Sequence, residues 1–180
     1  MGLASANDAL ARAKRELSWA LEVPLASFEK RRDFELNALE AANDVCDWVF
    51  SSLAPHVRKE LANAYLSKGE ILSQPQHLVN VLRKTVVSFR LARDVAIARK
   101  HAKRRVEITV FTTGSASSDV ASFAFARGEG VQTIYRHKII NRRTGERHRA
   151  TDVAADLIRF WDDFLSNPID AVARRAADTF

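Results

Sequence analysis

Residues 76–111 read QHLVNVLRKTVVSFRLARDVAIARKHAKRRVEITVF, and a change of period inside this stretch decides the fold. Leu78, Leu82, Val86, Phe89, Ala92 and Ala96 recur at three- and four-residue spacing, the stripe of an amphipathic helix running from about Gln76 to Lys103. Past Lys103 the rule changes. Val106, Ile108 and Val110 alternate with Glu107, Thr109 and Phe111, the period of two expected of a strand. A long helix hands over to a β segment, so the chain reads as α+β with helix dominant.

Working back toward the N-terminus, three more helical segments precede this one. Asn7 and Asp8 are candidate N-caps for a first helix carrying Leu10, Ala13, Leu17, Ala20 and Leu21, with Pro24 ending or kinking it. Asp33 is a candidate cap for a second helix, with Leu36, Leu39, Ala42, Val45 or Cys46, Val49, Phe50 and Leu53 on its inner face. Pro55 opens a third that runs to Lys68, where Gly69 supplies a C′ residue. Short loops join all four, which describes an antiparallel four-helix bundle over residues 1–105.

Toward the C-terminus, residues 106–180 hold a small antiparallel sheet and the last helices, packed on the bundle as one globular unit. After the first strand, Ser122 to Arg127, Val131 to Ile140 and Glu146 to Arg149 have strand character, separated by the turns at Gly128-Glu129-Gly130 and Asn141-Arg142-Arg143-Thr144-Gly145. Thr151 or Asp152 then caps a helix with Val153, Leu157, Phe160, Trp161, Phe164 and Leu165 on one face, and Pro168 separates a short tail helix.

Composition limits the function classes. Cys46 is the only cysteine; it sits among Val45, Trp48, Val49 and Phe50 and reads as a small core hydrophobe in a reducing compartment. No basic n-region with an apolar core opens the chain and no apolar run approaches ~20 residues, so a cytoplasmic protein without membrane contact is expected. There is no phosphate-binding Gly-Lys-Ser/Thr loop, no Gly-x-Ser-x-Gly elbow and no His pair at zinc-helix spacing; neither a metal nor a cofactor is expected. Net charge is +6, and the surplus lies in two stretches, Arg83 to Arg105 and Arg136 to Arg149. A basic surface favours polyanionic partners, although charge clusters also serve simply as solvated faces.

Within the first basic stretch, toward the end of the fourth helix, lies Arg93-Asp94-Val95-Ala96-Ile97-Ala98-Arg99-Lys100-His101. At ~100° per residue, Asp94 and His101 share one helix face and Arg93 and Lys100 another, each pair separated by about 10 Å of rise. That gap exceeds a hydrogen bond, so joint action needs a bridging substrate or a second subunit. Lys100 and His101 equally suit the negative end of a helix dipole. Asp47, beside Trp48, reads as a buried and paired acid.

Together with Ala42-Asn43-Asp44-Val45-Cys46-Asp47-Trp48-Val49 and the later Phe160-Trp161, this helix end resembles a group of uncharacterised bacterial proteins similar to the HEPN (higher eukaryotes and prokaryotes nucleotide-binding) helical-bundle superfamily. In that group the fourth helix ends in an Arg-Asp-Ile-Ala-Asn-x-x-Lys-His pattern. The resemblance implies a HEPN-like four-helix bundle followed by a small antiparallel β segment and a C-terminal helix. Many members of the wider superfamily are metal-independent RNases, with an Arg, four to six intervening residues and a His, duplicated across a dimer. Carried over, this makes Arg93, Asp94 and His101 the candidate catalytic residues, His101 as general acid or base and Arg93 on the phosphate. The chain departs from the pattern: seven residues separate Arg93 from His101, and Ile97 stands where the group has Asn. Arg143 and His148 have the family spacing, but Gly145 places them in a hairpin.

The second basic stretch gathers Arg136, Lys138, Arg142, Arg143, Arg147 and Arg149 around one turn, with Glu146 as the counter-charge and Tyr135 available for stacking on a base. Charged hairpins also protect sheet edges from aggregation. Arg99, Lys100, Arg136, Lys138, Arg142, Arg143 and Arg147 are thus the candidate nucleic-acid contacts. Three readings follow: an RNA-associated binding module, expected as a homodimer; a metal-independent RNase using Arg93 and His101 across a dimer; and a docking or antitoxin-like protein whose basic surface meets an acidic protein partner.

Overall fold

The computed structural model describes residues 5–22, 28–67, 69–100, 110–113, 138–141 and 147–177. Among them the chain is mainly helical. Its elements are α1 (Ala6–Glu22), α2 (Phe28–Ser52), α3 (Pro55–Tyr65), α4 (Pro75–Thr85), α5 (Val87–Lys100), β1 (Val110–Thr113), β2 (Lys138–Asn141), β3 (Arg147–Arg149), α6 (Ala150–Ser166) and α7 (Pro168–Ala177). No described helix is long and apolar enough to cross a membrane.

Local chemistry sets most helix starts. Ser5, rather than Asn7 or Asp8, caps α1: its Oγ accepts the N–H of Asp8 (3.2 Å) and donates to the Asp8 carboxylate (2.9 Å). Pro55, Pro75 and Pro168 each occupy a first-turn position, where a missing N–H costs nothing. Asn167 caps α7 by accepting the Asp170 N–H (3.3 Å). Two expected boundaries shift. α2 begins at Phe28, five residues before Asp33, because Glu29-Lys30-Arg31-Arg32 are good helix formers and extend it. α3 stops at Tyr65, and Gly69 serves instead in the following turn with φ +90°, a conformation that suits glycine.

The largest difference falls inside the stretch that reads as one long helix. Val86 is extended (φ −122°, ψ 100°) and divides it into α4 and α5. Thr85-Val86-Val87 is a run of β-branched residues, which lose rotamer freedom in a helix. Thr85 also turns its Oγ1 back onto the Val81 carbonyl (2.9 Å). The Val86 N–H closes α4 on the Leu82 carbonyl (2.8 Å), and the Val86 carbonyl opens α5 by accepting the Arg90 N–H (3.1 Å).

The strands form an antiparallel sheet of order β1-β2-β3, with Val110 opposite Asn141 and Lys138 opposite Arg149. β1 takes in Val110 and Phe111 of the expected first strand and extends two residues further, while residues 106–109 lie outside the described residues. The expected strand at residues 122–127 lies outside the described residues. Ile139 is buried and ties the sheet to the helical core.

That core is continuous. It joins Leu10 and Ala13 of α1 with Leu39, Val45 and Val49 of α2, Leu78 and Leu82 of α4, and Phe89 and Leu91 of α5. α6 completes it with Leu157, Phe160, Trp161 and Phe164. Trp161 is the meeting point: its Nε1–H donates to the Ala42 carbonyl of α2 (2.7 Å), and its ring stands edge-on to Phe89 of α5 and to Phe164. Cys46, one turn beyond Ala42, is buried as expected, and burial pushes its thiol up to about 12; the Asp47 carboxylate adds to the rise and the Arg93 guanidinium opposes it. Asp47 itself is exposed, because α2 turns it away from the core that holds Cys46. The buried Trp161 leads to a direct expectation. Trp161→Phe removes the bond to Ala42 and leaves a void, costing ~2–4 kcal/mol in urea unfolding; a loss below about 0.5 kcal/mol would show that this contact does not hold the helices together.

Candidate nucleic-acid interface

β3 is three residues long and carries Arg147-His148-Arg149. The pleat alternates their sides, so both arginines are exposed while His148 is half-buried opposite the buried Ile139. The strand runs straight into α6. Arg149, not Thr151 or Asp152, is the N-cap residue, with extended backbone (φ −76°, ψ 138°) and no side-chain cap hydrogen bond. Thr151 and Asp152 fall within the first turn. The first N–H groups of a helix have no partner within it, and the helix dipole makes that end electropositive.

The start of α5 faces the start of α6. Between them lies a pocket of about 440 Å³, lined by Val87, Ser88 and Leu91 of α5, by β3, and by Asp152, Val153, Asp156 and Arg159 of α6. Val87, Leu91 and Val153 supply apolar wall. Asp156 accepts from Arg175 of α7 (2.9 Å) and from Arg159 (3.4 Å). Ser88 is only 5% exposed, and its Oγ has no hydrogen-bond partner among the described residues. The pocket exists because of the break at Val86, which turns the chain and sets Ser88 in the first turn of a new helix.

The sequence-derived candidates divide between two places. Asp94 is 6% exposed and accepts from Arg83 Nη2 at 2.8 Å. Eleven residues of continuous helix would separate this pair by about 16 Å along the axis, so the contact requires the bend between α4 and α5. Asp94 therefore braces a joint through its pair with Arg83. Arg93 is half-buried on α5, close enough to Cys46 to act on its thiol. Arg99 and Lys100 are the last two residues of α5. Lys138 lies on β2, its backbone in register with Arg149, and Arg147 lines the pocket. His101, Arg136, Arg142 and Arg143 lie outside the described residues, so the pairing of Arg93 with His101 does too. Among the described residues, no group of three or more His, Cys, Asp or Glu side chains is placed to hold a metal ion.

Comparison of the chain with protein-family models, with curated proteins and with solved structures finds no match.

Ser88 and Arg159 escape a reading of the sequence alone. Arg159 carried a signal: with Asp152 and Asp156 it makes a polar stripe at four- and three-residue spacing along α6. Ser88 carried none, since its position depends on the bend. The brace at Asp94 can be tested directly. Arg83→Ala is expected to destabilise the protein by ~1–3 kcal/mol, as it strips a cation from a nearly buried carboxylate. Adding Asp94→Asn should restore part of that loss in chemical denaturation, whereas simple additivity of the two substitutions would contradict a coupled pair.

Proposed function

We propose that the protein is an RNA-associated binding module, HEPN-like in its helical part, whose contact surface is formed by β3 and the first two turns of α6. The observation that carries this reading is the pair Arg147 and Arg149, both exposed on one short strand at the mouth of a pocket that Arg159 also lines. Guanidinium groups spaced along an edge suit the repeating charge of a phosphate backbone, each able to donate two parallel hydrogen bonds to one phosphate. Lys138, in register with Arg149 on the neighbouring strand, adds to the same sheet.

A nuclease built on Arg93, Asp94 and His101 has less in its favour, because Asp94 is engaged with Arg83. Binding is the function this surface supports best, and sequence preference is not required of it: contacts to phosphate position a protein without reading bases.

Fluorescence anisotropy with a labelled single-stranded RNA tests the reading. Three phosphate contacts on a single strand give a salt slope of about −2, so affinity should fall ~20-fold between ~50 and ~200 mM salt. Arg147→Glu with Arg149→Glu should abolish measurable binding while the protein stays folded by circular dichroism. Binding that ignores salt, or that survives the double reversal, would sink the proposal. Running the assay with EDTA and resolving the RNA on a gel separates binding from metal-independent cleavage.

A further inference from the structure

We infer that the outer face of α1 is a docking surface for a second copy of this chain, with two α1 helices laid antiparallel about a two-fold axis between Ser18 and Trp19. The inference stands apart from the RNA reading, since it uses neither β3 nor the pocket beside it. It starts from the apolar surface left in water. Among the described residues, Trp19, Leu21, Ile71 and Val87 are the large hydrophobic side chains that remain exposed. Single exposed apolar residues are ordinary, but Trp19 (47% exposed) and Leu21 (59%) stand two positions apart near the end of α1. The Trp19 indole meets Phe34 of α2 edge-on, with ring centroids 6.0 Å apart, and that contact still leaves about half of the residue open.

The helical repeat shows which face these side chains flank. α1 packs on α2 and α6 and buries Ala6, Ala9, Leu10, Ala13 and Ala20. The line opposite, at spacings of four, three and four, is Ala11, Arg15, Ser18 and Glu22, with Trp19 on one flank and Leu21 on the other. Arg15 and Glu22 are both exposed. Ser18 donates a hydrogen bond to the Glu22 carboxylate, which holds that carboxylate along the line. Arg15 engages no carboxylate among the described residues.

Charge selects the occupant. Arg15 and Glu22 lie about 10 Å apart along the axis and within ~20° on the wheel, so the face offers one positive and one negative charge in line. A polyanion or an anionic membrane meets the glutamate unfavourably, and a basic partner meets the arginine. A second α1 running the opposite way presents the same two charges in reverse order. With the two-fold between Ser18 and Trp19, each Arg15 comes level with the partner's Glu22, giving an ion pair on either side of the axis. The same operation brings the two Trp19 indoles together on one flank and turns both Leu21 side chains to the other. The contact is one helix wide and about 25 Å long, at the small end for a specific interface, so the dimer is expected to be of micromolar affinity.

Sedimentation velocity of the full chain, over a concentration range of about 1 to 100 μM, tests this. The parent protein is expected to move toward twice its 20.2 kDa mass as concentration rises. Arg15→Glu and Glu22→Arg, each alone, turn both ion pairs into like-charge contacts and should weaken association at least about tenfold. Trp19→Ala should weaken it to a similar degree. The double swap, Arg15→Glu with Glu22→Arg, sets opposite charges against each other again and should bring association back near the parent level, a recovery that misfolding does not produce. A parent protein that stays monomeric through the range overturns the inference. A dimer indifferent to the single reversals or to Trp19→Ala places the interface elsewhere and overturns it too. A double swap no better than either single reversal contradicts the antiparallel register and has the same consequence.

Discussion

The indole of Trp161 reaches across the core and hydrogen-bonds the carbonyl of Ala42 in the middle of α2. A peptide carbonyl has two lone pairs, so a helix can accept such a bond without losing its own ladder. Burying an indole of ~200 Å² contributes on the order of 5 kcal/mol before entropy is counted, and the hydrogen bond fixes where on α2 that burial occurs. Phe89 and Phe164 stand edge-on to the same ring. One side chain thus locks α6 against α2 and α5 at once. Everything at the N-terminal end of α6 inherits its position from this contact: the strand β3 that feeds it, the exposed arginines on that strand, and the pocket facing α5. The exposed bridge between Lys14 and Asp162 also joins α1 to α6, but a half-exposed ion pair contributes ~1 kcal/mol or less.

A second constraint shapes the other wall. Val86 breaks what would have been a single long helix, and the Arg83–Asp94 pair closes the angle between its halves. The break brings Ser88 into the first turn of α5 and creates a second electropositive helix start beside that of α6. A continuous helix would have left Ser88 among the mid-turn residues, with its N–H committed to the ladder. The bend and the indole anchor together place cations, a buried hydroxyl and two helix starts around one volume.

Much of this was legible in the sequence. The apolar stripe of α6, the inner face of α2, the buried Cys46 and the prolines opening α3 and α7 follow from periodicity and from the missing N–H of proline, and these features do not depend on tertiary contacts. That strand follows helix was legible too, since Val110 and Phe111 at the end of the alternating stretch lie in β1. The site was only half legible. Arg147 and Arg149 stood out as part of a basic cluster, but that cluster gave no sign of a pocket. Val86 sits in register with the stripe of a continuous helix, and its extended backbone is decided by the crowding of Thr85, Val86 and Val87 and by a salt bridge eleven residues long. Such information is absent from spacing. Asp94 shows the converse: a motif-like position that reads as chemistry serves here as a brace.

The central claim is that ligand recognition resides where β3, α5 and α6 meet, and not along the Arg93–Asp94 face. Backbone amide chemical-shift mapping of the isotope-labelled protein during titration with single-stranded RNA tests it most directly. The account predicts that the perturbed amides cluster at residues 87–91, 147–153 and 156–159. Perturbations concentrated instead on residues 93–97 and the facing part of α2 would contradict it.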